Sequence, residues 1–96
     1  MKMLLIIGPR ERHAELVRLI EVAGVHAYTE LTQVTGEGLT GKKLGTPEWP
    51  DRSTLLFSIV PDDRKAALTA ALRKFKTVLY PEEGLRAFVL PVEEEL

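Results

Sequence analysis

Apolar residues follow two rhythms along this chain. Met3–Ile7 (MLLII) is a short unbroken apolar run ending at Gly8-Pro9, which predicts a buried strand. From Arg10 to Ala23 the spacing lengthens. Leu16, Val17, Ile20 and Ala23 fall on one helical face, and Arg12, Glu15, Arg18 and Glu21 fall on the other. Gly24 stands where such a helix stops. Residues 25–35 carry Tyr28, Thr29, Leu31, Thr32 and Val34, a β-branched and aromatic mixture that predicts a second strand. Residues 36–54 hold four glycines and two prolines with neither period, and are expected to form a long loop. Leu55–Val60 (LLFSIV) resumes a strand. Pro61-Asp62-Asp63 opens a second helix with Ala67, Leu68, Ala71, Leu72 and Phe75 on one face, its aspartates expected to cap the free N–H groups. After a turn at Tyr80–Gly84 the last strand runs from Arg86 to Val92.

The order βαββαβ predicts an α+β fold. Two βαβ halves with right-handed crossovers give a ferredoxin-like sandwich, a four-stranded antiparallel sheet with two helices on one face. Alternate positions of Leu55–Val60 and Ala87–Val92 are apolar on both sides of the strand. The sheet face away from the helices is therefore apolar too, and leaving it wet costs about 25 cal/mol per Å². Another copy of the chain is expected to cover it.

Composition narrows this picture. The 96 residues suit a single domain spanning 1–96. At 45% hydrophobic and 28% charged, the chain reads as globular. A net charge of −1 supplies no global basic field for nucleic acid, and no nucleic-acid partner is expected. With no cysteine, disulfides and thiolate metal sites are excluded. No apolar run suits a signal peptide or a membrane span, so a cytoplasmic protein is expected.

The loop raises the first chemical question. Gly36-Glu37-Gly38 and Gly41-Lys42-Lys43 lie in TGEGLTGKKLG, nearly a phosphate-binding loop. Lys43 stands where a magnesium-binding hydroxyl is needed, and LGTPEWPD cannot start the helix that such a loop feeds. The glycines still let backbone approach a ligand, and Lys42 and Lys43 add positive charge. Trp49 is expected to pin the loop, and Arg52 to pair with Asp51. His13 reads as a solvated residue of the first helix, and His26 is too far along the chain to share a metal-ligand spacing with it. No metal site and no catalytic residue is expected: Asp62 and Asp63 lack a nucleophile or a perturbed partner. The chain has no asparagine, which argues against an acylphosphatase on this scaffold.

IVPDD (Ile59–Asp63), then a helix, then AFVLPVEE (Ala87–Glu94), with TQVTGEG (Thr32–Gly38) ahead of the long loop, resembles the PII signal-transduction family. The resemblance covers nearly the whole chain and keeps the order of elements. It implies a homotrimer whose sheets line the centre, and a regulator rather than an enzyme. An adenine nucleotide (ATP, ADP or AMP) would bind as effector in the clefts between subunits, with no resident cofactor. A T-loop, here residues 36–54, would engage a target enzyme or membrane transporter. Ile7, Gly36, Gly38 and Ile59 match positions lining that cleft, with Glu37 between the glycines. Arg86 stands where the family has a phosphate-binding lysine, and Lys42 and Lys43 remain candidates for meeting a small anion. The family's basic phosphate loop is replaced by YPEEGLR, and its modifiable loop tyrosine is absent. An alternative within the family is a metal-responsive trimer that uses Glu82, Glu83 and the terminal glutamates.

Overall fold

The structure is a computed structural model, and it describes residues 1–38 and 41–96. Leu39 and Thr40, part of the expected loop, lie outside the described residues.

Strand β1 (Lys2–Pro9) leads through a short 3₁₀ turn into helix α1 (His13–Val22). Strand β2 (Thr29–Val34) follows, then two three-residue strands, β3 (Gly36–Gly38) and β4 (Gly41–Lys43), then β5 (Ser53–Val60). A second 3₁₀ turn leads into α2 (Lys65–Lys76), and β6 (Arg86–Pro91) completes the sheet. The main sheet has the order β2-β5-β1-β6, with every pair antiparallel. This is the ferredoxin-like arrangement that the sequence predicts.

Alternation decides which side chains meet the helices. Leu4 and Ile6 of β1, and Leu56 and Val60 of β5, are buried against Leu16 and Ile20 of α1 and Leu68 and Leu72 of α2. Val25 and Leu85 close the ends of this core. Gly24 terminates α1 at a φ of +92°, a conformation that a Cβ would strain, and its N–H bonds the Glu21 carbonyl.

The opposite face is a grid of mostly apolar side chains, with Arg86 and Thr29 at its edges. Arg86, Ile7 and Leu55 are neighbours in register, and Leu31 follows Leu55 on β2. The next row is Phe88, Leu5, Phe57 and Thr29, and the third is Leu90, Met3 and Ile59. Both helices pack on the other side of the sheet. Leu31, Ile59, Phe88 and Leu90 remain exposed on this face, at 39–53%.

Three local expectations change. The region after residue 35 does not lack regular structure: β3 and β4 pair as a ribbon, with Gly36, Glu37 and Gly38 opposite Lys43, Lys42 and Gly41. Strand β5 begins at Ser53, two residues earlier than its apolar run indicates. Ser53 pairs with both Pro9 and Val34, so sheet geometry extends the strand past its apolar signal. Neither aspartate caps α2 with its side chain. Asp62 instead accepts from the Met1 amino group at 2.7 Å, which holds its carboxyl below the usual carboxylate range.

Candidate functional site

The proposed ligand residues fall into three places. Ile7 and Arg86 are cross-strand partners at one end of the open face. The Arg86 guanidinium lies 5.1 Å from the Phe88 ring centre, so the charge rests on an aromatic side chain of that same face. Gly36, Glu37, Gly38, Lys42 and Lys43 all belong to the ribbon, which extends from the β2 edge. Arg86 is on the β6 edge. With strands about 4.8 Å apart, the two edges are separated by roughly 14 Å. Ile59 is partnered with Met3, four residues along β1 from Ile7, hence roughly 13 Å from it. One chain thus brings Ile7 to Arg86 and the ribbon residues to each other, but it does not bring these groups together, and Ile59 stands apart.

The ribbon glycines carry a further signal. A Cβ at Gly36 or Gly38 would meet nothing within 4 Å, and neither residue has a positive φ. Nothing among the described residues requires glycine at these positions. Gly45 differs: its φ is +67°, and a Cβ there would collide with the Arg52 guanidinium. Arg52 reaches over Gly45 to its carbonyl at 3.4 Å and donates to Gln33 Oε1 at 2.8 Å. It therefore ties the returning segment to β2, where pairing with Asp51 was expected. The contact runs between distant residues, so sequence adjacency pointed to the wrong partner.

Trp49 is 45% exposed and does not reach the core. It anchors the loop to itself. Its backbone exchanges hydrogen bonds with Thr46, and the Lys42 ammonium lies 5.2 Å from its ring centre. Lys42 also lies 3.9 Å from Glu37 across the ribbon.

Two polar clusters escape sequence reasoning. His13 is not a free surface side chain. Its Nδ1 is 2.6 Å from Thr54 Oγ1, and its Nε2 donates to Glu30 at 2.6 Å. This bridge joins α1, β5 and β2, and Thr54 is fully buried. Arg12 donates two hydrogen bonds to Glu83, through Nε at 3.0 Å and Nη2 at 3.2 Å, and a third to Glu15 at 2.9 Å. These bonds raise the guanidinium pKa above its ordinary value. The Tyr80–Gly84 turn is thereby fastened to the start of α1, with both Glu83 oxygens occupied. Among the described residues, no group of three or more His, Asp or Glu side chains could hold a metal ion. No helix among them is long and apolar enough to cross a membrane. Partners 41 and 71 residues apart leave no periodic trace, which is why neither cluster was legible.

The family profile described as "Nitrogen regulatory protein P-II" matches residues 1–95. No curated protein matches the sequence. Among solved structures, a nitrogen regulatory PII-like protein, CPII from Thiomonas intermedia K12, bound to ADP, AMP and bicarbonate, is similar. It aligns with a TM-score of 0.72 at 21% identity, over 97% of this chain and 88% of that one. Its apo form aligns with a TM-score of 0.66 at 19% identity, over 95% of this chain and 89% of that one. A PII-like signalling protein from Thermus thermophilus aligns with a TM-score of 0.63 at 18% identity, over 92% of this chain and 82% of that one. At these identities the likenesses establish the fold.

Proposed function

The chain belongs to the nitrogen regulatory protein P-II family, and from that premise we propose that it is a cytoplasmic effector-binding regulator and not a catalyst. It assembles as a homotrimer through the apolar sheet face and binds an adenine nucleotide in the clefts between subunits. Ile7 and Arg86 of one subunit, the ribbon residues Gly36, Glu37, Gly38, Lys42 and Lys43, and Ile59 make up that cleft. Occupancy sets the conformation of the ribbon and its return to β5, and that segment engages a target enzyme or transporter.

The observation that carries this reading is the separation of Arg86 from the ribbon across one sheet. Their placement at opposite edges favours a site shared between chains, and the uncovered apolar face supplies the surface for assembly. The open space beside Gly36 and Gly38 leaves room for a ligand against backbone. ADP and AMP bound to the Thiomonas protein make adenine nucleotides the first effectors to test, and the bicarbonate there makes it a second ligand to include. Arg86 contributes charge to the phosphates, and Glu83 is kept from repelling them by its bonds to Arg12.

Isothermal calorimetry with ATP, ADP and AMP, each with and without bicarbonate, tests the reading. Saturable heat with at least one nucleotide, together with slowed amide exchange in the ribbon, is expected. Absence of heat with all three removes the nucleotide.

A further inference from the structure

Lys42 has two partners within the chain. Glu37 and Lys42 face each other across the ribbon, so their side chains share one side of it. Trp49 is brought to the same ammonium by the folded return of the chain. Gly45 turns the backbone, its N–H bonds the Asp51 carbonyl at 3.2 Å, and Thr46 and Trp49 close a tight turn through paired backbone bonds of 3.0 and 3.1 Å. Trp49 N–H also donates to Thr46 Oγ1 at 3.1 Å, and Arg52 fastens the base of the turn to Gln33. The ring is thus held by residues that do not belong to the ribbon. The contact between Lys42 and Trp49 is what ties the ribbon to it.

We infer that Lys42 and Trp49 form a clasp that competes with the effector: the ammonium that stacks on Trp49 in the free protein is the one that leaves to meet the phosphate chain of the bound nucleotide. This deepens the proposed function and rests on it, since the competing anion is the nucleotide of that site. The physical reason is that the Trp49 ring and the Glu37 carboxylate already take two sides of the ammonium, so turning its three donors to phosphate oxygens requires it to leave them. Both present contacts are exposed, Lys42 at 42% and Glu37 at 62% of their side-chain surface, so both are weak. A multiply charged phosphate offers charge-assisted bonds that exceed them. The ligand then prefers the unclasped ribbon, which is the differential affinity that a switch requires. Trp49 acts as a positioning residue: it stores Lys42 in the free state and gives up the ribbon when the site fills.

The test combines calorimetry with the emission of Trp49, the chain's sole tryptophan. ADP is the probe, and the proteins are wild type, Trp49→Leu, Trp49→Phe and Lys42→Met. Lys42→Met shifts the emission of the ligand-free protein, and saturating ADP shifts wild-type emission in the same direction. Trp49→Leu removes the competitor and tightens ADP binding about two- to fivefold, the worth of an exposed cation–π contact. Trp49→Phe keeps a ring and stays close to wild type, and Lys42→Met weakens binding. Wild type that gives heat with ADP while its emission stays fixed, or Trp49→Leu that binds no tighter, overturns the clasp and leaves the nucleotide site standing. If ADP gives no heat, ATP or AMP replaces it as the probe, and no heat from wild type with any of the three overturns both.

Discussion

Replacing Leu5 by glutamate places a charge at the centre of the open face. Leu5 has Phe57 and Phe88 as cross-strand partners, with Met3 and Ile7 next on the same side of β1. In an isolated chain this side chain is half-buried and opens toward water, so Leu5→Glu leaves the sandwich folded: the core lies on the other side of the sheet. In a trimer closed over this face the carboxylate has no water. Leu31, Ile59, Phe88 and Leu90 are 53, 39, 39 and 41% exposed, so covering them contributes roughly 1 kcal/mol each, or about 4 kcal/mol per subunit. An unpaired charge buried among them costs about 3–5 kcal/mol. The two magnitudes cancel, and the variant is expected to dissociate. Multi-angle light scattering after size exclusion reads the mass, and circular dichroism checks the fold. Wild type at the mass of three chains and Leu5→Glu at the mass of one, with native secondary structure, is the expected pair. A Leu5→Glu protein that keeps the wild-type mass and melting temperature would refute the assignment of this face to the interface.

Three other perturbations address the internal contacts. His13→Ala leaves Glu30 and the buried Thr54 without their shared partner, and is expected to cost about 1–2 kcal/mol in chemical denaturation. Arg12→Met releases both Glu83 oxygens, so amide exchange in residues 80–85 accelerates while exchange in β5 does not. The Asp62 carboxyl is depressed first by its hydrogen bond from the Met1 amino group and then by that group's charge. A depressed acid contributes stability above its unfolded pKa of about 3.9, and loses it as pH falls through the lower folded value. Asp62→Asn therefore flattens the acid limb of the stability profile and leaves its slope near neutrality unchanged.

Most of the fold was legible because it rests on local periodicity. The α1 stripe of Leu16 and Ile20, the α2 stripe of Leu68 and Leu72, and Leu4 and Ile6 of the β1 apolar run all landed in the core. Strand β6 came from the apolar run Ala87–Val92, and its apolar open face from that run being apolar on both sides. The ribbon was not legible: Gly-Glu-Gly and Gly-Lys-Lys have no strand propensity, and only cross-ribbon pairing makes them strands. Of the candidate site, residue types and approximate locations could be read, but partners could not. In the sequence Arg52 reads as a partner of its neighbour Asp51 and His13 as a solvated helix residue, whereas Gln33 and Glu30, which they meet, lie 19 and 17 residues away. Polar side chains choose partners by tertiary geometry, which a single sequence does not encode as a period.

In the proposed trimer one effector site is built from two chains. Two variants isolate its halves: Arg86→Met removes the charge on one edge, and Gly36→Trp fills the open space on the other. Each protein alone should bind ADP poorly. Unfolding and refolding them together in equal amounts produces mixed trimers, and the calorimetric stoichiometry of the mixture is the measurement. If Arg86 and the ribbon come from different subunits, about a quarter of the sites recover both intact halves and bind with wild-type affinity. If wild type binds ADP and the mixture recovers no sites, the two halves belong to one chain and the site is not shared between subunits.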